Sequence, residues 1–214
     1  MRGLLVKDLR LMLQQKRFLI VLVLMALFFT STQTGMFPVF YMAMLAMIFS
    51  VSTISYDEYD NGYPFLMTLP FDRRDYVREK YLLCIMMSAV GCVAGSILNM
   101  VKPGEGTALE EKLAQICLYL LITVLATAVI LPLLLKFGAE QGRIWLFLII
   151  GGLALAGGAV LELLPRDAAS AGEILDKISG LGVWGLVGCL AGGVLLLAFI
   201  SYCISVRVME KKEF

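Results

Sequence analysis

The chain has 214 residues, 60% of them hydrophobic and only 16% charged, with a mean hydropathy of +0.87 and a formal net charge of +1. Soluble domains carry about 25% charged residues, so an ordinary soluble fold is excluded. The complete absence of histidine removes histidine proton shuttles and the usual zinc sites.

A hydrocarbon core about 30 Å thick takes roughly 20 mostly apolar residues per helical crossing. Six stretches meet that requirement: 18–36, 38–56, 81–101, 115–135, 144–164 and 183–206. Apolar runs of this length cannot be lipid-facing strands, which alternate with period two. The expectation is an all-α polytopic membrane protein with six transmembrane helices. Fourteen of the 18 Lys and Arg residues fall on the side shared by the two termini, which places both termini in the cytoplasm. The first apolar run is too long for a cleavable signal and lacks a small-residue exit site.

Residues 1–17 are too polar to cross. Lys7, Arg10, Gln14 and Arg17 recur along one helical stripe, and Leu5, Leu9 and Met12 mark another face. That pattern predicts an amphipathic helix at the cytoplasmic interface, with Lys7, Arg10 and Arg17 toward the headgroups. Gly35 and Pro38 then predict a tight outer turn between spans one and two.

The next segment reads "YDEYDNGYPFLMTLPFDRRDYVREKY". Asp60-Asn61-Gly62 is a strong breaker, so span two should stop near Tyr56. Between Pro64 and Pro70 lies "FLMTL", one short turn of apolar helix. Asp72 is placed as an N-cap, Asp75 at the third helical position, and Phe71 and Tyr76 are spaced for a hydrophobic staple. A stiff charged elbow, running straight into span three, is the expectation for residues 57–80. Phe65, Leu66 and Leu69 would form its apolar plug, and Arg73 and Arg74 its charged rim.

The outer loop 102–114 restarts with a Thr107/Glu110 capping box, and Pro132 predicts a kink late in span four. In 165–182, Ser170 and Glu173 form another capping box, predicting a short helix on the outer leaflet. Gly91-x-x-x-Gly95 in span three and Gly188-x-x-x-Gly192 in span six mark close helix contacts. The expectation assigns the Gly188/Gly192 face to packing within one subunit. Cys84, Cys92, Cys117, Cys189 and Cys203 all fall within spans, without ligand spacing, and read as small packing residues.

The central thirds of the spans contain no Asp, Glu, Lys or Arg, and the chain has no G-x-x-x-x-G-K-[ST] phosphate loop. An ion-coupled transporter, an intramembrane protease and a self-sufficient ATPase are all disfavoured. Energy for transport would have to arrive from another polypeptide through the elbow. A pathway without charge suits amphipathic or hydrophobic cargo, and Phe29, Thr30, Ser31, Ser50 and Ser52 are its candidates.

Six spans, the opening "MRGLLVKDLRLM" and the order "YDE", "TLP", "R", "KYL" within 56–82 resemble the ABC-2 type permease subunits of bacterial ABC exporters. The permeases of peptide exporters such as the phenol-soluble modulin system are similar. The resemblance implies one ABC-2 transmembrane domain over 1–214 in the bacterial cell membrane, without enzyme activity of its own. It implies a second permease copy, identical or homologous, and two copies of a separate ATPase that binds the ATP and Mg, with no cofactor on this chain. The segment Pro64, Phe65, Leu66, Leu69, Pro70, Phe71, Asp72, Arg73, Arg74 would be the coupling helix, flanked by the N-terminal helix. Two six-helix halves would flank the route, with interface and pathway drawn from 18–56. A membrane-embedded immunity or sensor protein without an ATPase is the alternative from another class, and copurification of an ATP-binding subunit separates the two.

Overall fold

The computed structural model describes residues 2–15, 36–58, 62–63, 72–100, 109–138, 141–142 and 182–212, with Ile20, Leu24, Phe28, Thr68 and Ile144 besides. Five helices lie within them: α1 (Arg2–Gln14), α2 (Phe37–Glu58), α3 (Arg73–Met100), α4 (Leu109–Phe137) and α5 (Gly182–Lys211). Among the described residues four helices are long and apolar enough to cross a bilayer, over Phe37–Glu58, Arg73–Asn99, Glu110–Phe137 and Val187–Lys211. This corrects the expectation of six. Apolar length alone predicted spans at 18–36 and 144–164, and length is necessary rather than sufficient for a crossing. Those two stretches lie, apart from isolated positions, outside the described residues, as do the outer helix at 165–182 and most of 102–114.

The third span begins well before its apolar run. Asp72 stands just outside α3, and its carbonyl accepts from the N–H groups of Asp75 at 3.0 Å and Tyr76 at 3.2 Å. Asp75 lies in the first turn, where its carboxylate complements the helix dipole. With 28 residues α3 is about 42 Å long, longer than the hydrocarbon core. The last part of the expected elbow, from Arg73, and the span are therefore one continuous helix.

The helices associate as two close pairs. α2 lies along α3, and α4 along α5. The first pair is set by glycine. A Cβ on Gly91 would fall 2.6 Å from the Met42 carbonyl oxygen and 2.9 Å from the Ala43 Cα. One on Gly95 would fall 2.6 Å from the Val39 Cα. Backbones meet here, and Val39, Ala43 and Cys92 fill the seam. Gly91→Leu is expected to force α2 off α3 and to abolish the folded form; unchanged thermal unfolding of the purified variant would refute that packing.

The other glycine motif, Gly188 and Gly192, is expected to pack against span five, which lies almost entirely outside the described residues. Among the described residues nothing lies within 4 Å of a Cβ added to Gly188, Gly192 or Gly193. The G-x-x-x-G spacing is the same in both helices; among the described residues α3 is the one with a backbone laid against it. Cysteines divide in the same way, with Cys84 and Cys92 buried and Cys117, Cys189 and Cys203 exposed.

The two pairs meet toward one end of the bundle. Met47, Ile54, Tyr76, Val77, Tyr81 and Cys84 from α2 and α3 pack with Leu131, Leu134 and Leu135 of α4 and Met209 of α5. α4 runs through Pro132 and ends at Gly138, whose φ of +82° and N–H bond to Leu134 O at 2.9 Å form a left-handed cap. The positive φ is what favours glycine here; a side chain would also meet the Glu58 carboxylate at the end of α2, which is the flexible tip of a long side chain and can give way.

Candidate functional site

Where α1, α2 and α3 converge, the structure buries a cluster of charges. Asp8 of α1, Asp57 of α2, and Glu79 and Lys80 of α3 are all buried, while Lys7 remains part-exposed. α3 brings Tyr76 and Lys80 to one face, one turn apart. α1 turns Leu4, Asp8 and Met12 inward at the same four-residue interval.

Lys80 is the hub. Its ammonium reaches Asp8 Oδ2, Asp57 Oδ2 at 2.8 Å and Thr53 Oγ1 at 3.0 Å. An ammonium has three N–H donors, so these three acceptors occupy it fully. Lys7 bridges the same two carboxylates from the outer side, bonding Asp57 Oδ1 and lying 3.1 Å from Asp8 Oδ1. Tyr76 donates to Asp57 Oδ2 at 2.9 Å, and its ring lies 5.2 Å from the Lys80 ammonium. Tyr63 packs edge-on against Tyr76 at 6.0 Å, and burial pushes its phenol up to about 12. Ion pairs of this kind offset the desolvation of their members but leave little net gain. Their consequence here is geometric: α1 has one register against α2 and α3.

A second polar set ties α3 to the other pair. Ser201 donates to the Ala128 carbonyl, which uses its only hydrogen. Tyr81, 2.7 Å from Ser201 Oγ, must then donate to it, and Ser205 at 2.9 Å must donate to Tyr81. The chain Ser205→Tyr81→Ser201→Ala128 thus runs in one direction through α5, α3 and α4.

Arg73, first residue of α3, closes the end of α5. Its Nη1 donates to the carbonyls of Met209 at 3.0 Å, Glu210 at 2.9 Å and Lys212 at 2.7 Å. These are the carbonyls that a helix end leaves without partners, and a guanidinium suits them in charge as well. Arg74 Nε pairs with Glu210 Oε1 at 2.7 Å on the exposed side. Lys212 continues the knot, donating to Leu135 O at 3.2 Å and covering the Tyr63 ring at 5.0 Å. Elbow, α4 and α5 are bound at one point.

Among the residues singled out in the sequence, Lys7, Arg73 and Arg74 belong to these networks, Asp72 caps α3, and Arg10 is exposed. The basic stripe on α1 is not a simple headgroup face, because Lys7 turns toward Asp57. Leu9 does not share a face with Met12: Val6, Leu9 and Leu13 are exposed along a separate stripe. Ser50 is buried and donates to Ala46 O at 2.9 Å, and part-exposed Ser52 donates to Phe49 O at 2.6 Å. Pro64, Phe65, Leu66, Leu69, Pro70, Phe71, Arg17, Phe29, Thr30 and Ser31 lie outside the described residues. The sequence reading missed Asp8, Asp57, Glu79 and Lys80. Their signal was present in "KDL", "YDE" and "REKYL", where acids and bases flank apolar spans in numbers that exceed a topology signal.

Among the described residues no group of three His, Cys, Asp or Glu side chains could hold a metal ion. Helices of spanning length, joined through buried ion pairs at one end, define a multi-pass α-helical membrane protein. A family model described as an ABC-2 family transporter protein matches residues 3–210. The chain belongs to that family, whose members are membrane permeases. No curated protein and no solved structure matches it.

Proposed function

We propose that this permease is the membrane-spanning subunit of an ATP-driven exporter whose cargo is amphipathic peptides or similarly hydrophobic molecules. The observation that carries the reading is the continuity of α3 from Arg73, bound through that residue to the end of α5. A push delivered to the first turn of α3 meets no break in that helix and moves the helices behind it. The family match over nearly the whole chain supports a transport role. The lack of a nucleotide-binding loop in the sequence supports an external source of energy.

In this reading two copies of a separate ATPase hold the ATP and Mg and dock against the coupling segment, Pro64 to Arg74. A second permease copy, identical or homologous, completes the route, and both termini face the cytoplasm, in line with the basic side chains there. The route is drawn from residues 18–56. Of the two candidate serines that are described, Ser50 and Ser52, we retain Ser52, because Ser50 is covered within the subunit.

The test is copurification from the native membrane. Tagged wild-type chain is expected to bring down an ATP-binding subunit. Replacing Leu66 and Leu69 with Asp should release it while thermal unfolding of the permease stays within a few degrees, because apolar anchors carry such interfaces more than rim charges do. Undiminished recovery in that variant would refute the plug. Absence of any ATP-binding partner from the wild type would favour an immunity or sensor protein.

A further inference from the structure

The buried cluster holds one carboxyl group too many. Lys7 and Lys80 supply two ammoniums; Asp8, Asp57 and Glu79 supply three carboxylates. The two aspartates take up both cations. Glu79, with its side chain 1% exposed, comes no nearer than 4.0 Å to the Lys80 ammonium. That ammonium has no fourth hydrogen to give, since all three point at Asp8, Asp57 and Thr53. Both Glu79 carboxyl oxygens are buried without a hydrogen-bond donor among the described residues.

Every charged or titratable group described around it bears on the point. On its own helix stand Lys80 and the buried Cys84; α1 contributes Asp8 and Lys7, and α2 contributes Asp57. One turn along from Glu79, Leu83 packs with Met12 of α1 and Phe49 of α2, so the seam on that side is apolar. An ionised carboxylate placed there would face two other carboxylates, with no protein donor among the described residues. Burying an unpaired charge costs several kcal/mol, whereas a group that can take up a proton becomes neutral instead. The point on which the three carboxylates converge is filled by the Lys80 ammonium, and among the described residues no group of three His, Cys, Asp or Glu side chains is placed to hold a metal.

We propose that Glu79 is a proton-binding site that makes the docking of α1 depend on protonation. With the proton bound, the cluster is neutral and α1 sits on α2 and α3. When Glu79–COOH gives its proton to water, the cluster carries one net negative charge facing Asp8, and α1 is loosened. The site is independent of what the permease transports or what drives it.

Infrared spectroscopy of the full-length protein in lipid reads the proton directly. At ~pH 7, more than two units above the ordinary glutamate value of ~4.3, wild type is expected to show a protonated-carboxyl stretch. E79Q, isosteric and neutral, should fold normally and lack that band. Asp57→Asn removes a neighbouring negative charge and should let the proton leave about one pH unit or more lower; Lys7→Met should hold it to higher pH. Amides of α1 should exchange faster, after correction for intrinsic rates, once the band is gone, and E79Q should show no such step. Absence of any protonated-carboxyl band in the wild type at ~pH 7 overturns the site, and needs no variant to fold. A band that titrates without any change in α1 exchange overturns the link to docking.

Discussion

Lys80→Met is expected to destabilise the protein by about 3–5 kcal/mol, the cost of breaking a buried ion pair from one side. The loss is large because Lys80 is the one cation that touches Asp8, Asp57 and Thr53 together. Without it two buried aspartates share only the part-exposed Lys7. Against a total stability of ~5–15 kcal/mol such a loss removes a large share of the folded population. Thermal unfolding in detergent, followed by helical circular dichroism, measures it. The control is the combination of Lys80→Met with Asp8→Asn and Asp57→Asn. If the damage arises from orphaned charge, the triple variant recovers a substantial part of the single variant's loss, and the coupling is strongly non-additive. Simple addition of the three effects would show that Lys80 matters for its packing instead.

Arg73→Ala should act at the other end of the same rod. Removing the guanidinium strips partners from the Met209, Glu210 and Lys212 carbonyls at once. A single charge-assisted hydrogen bond contributes about 1.5–3 kcal/mol, so amide exchange in the last turn of α5 is expected to rise at least about tenfold. Arg73→Lys should recover only part of this, because the three bonds leave from Nη1, and the lysine ammonium, on a flexible stem, ends one atom short of that position. In cells, export should fall in Arg73→Ala while the ATPase still copurifies, because the push would reach α3 and stop there. Normal export with a frayed α5 terminus would show that the knot holds the structure without transmitting force. Loss of the ATPase together with export would show that Arg73, at the end of the docking segment, anchors the ATPase as well as closing the end of α5.

Much of the fold was legible because its determinants are local. The apolar runs at 38–56, 81–101, 115–135 and 183–206 each became a helix, since length and hydropathy act residue by residue along the chain. The start of α3 was legible for the same reason: Asp72 and Asp75 act within a single turn. The expected six spans were not met among the described residues, where four helices have the length and composition to cross.

The site was hidden for a related reason. Asp8 and Lys80 are 72 positions apart, and Arg73 and Lys212 are 139 apart. In sequence a charge beside a span has one appearance, whether it faces headgroups, anchors topology or pairs with a buried partner. The same limit governed glycine, where one motif occurred twice and, among the described residues, the approach of the α2 backbone set Gly91 and Gly95 apart. Composition and short-range pattern determined that this chain would build membrane helices and that α3 would start just after Asp72. Which charges met depended on desolvation, and a side chain loses its water only when distant segments close over it.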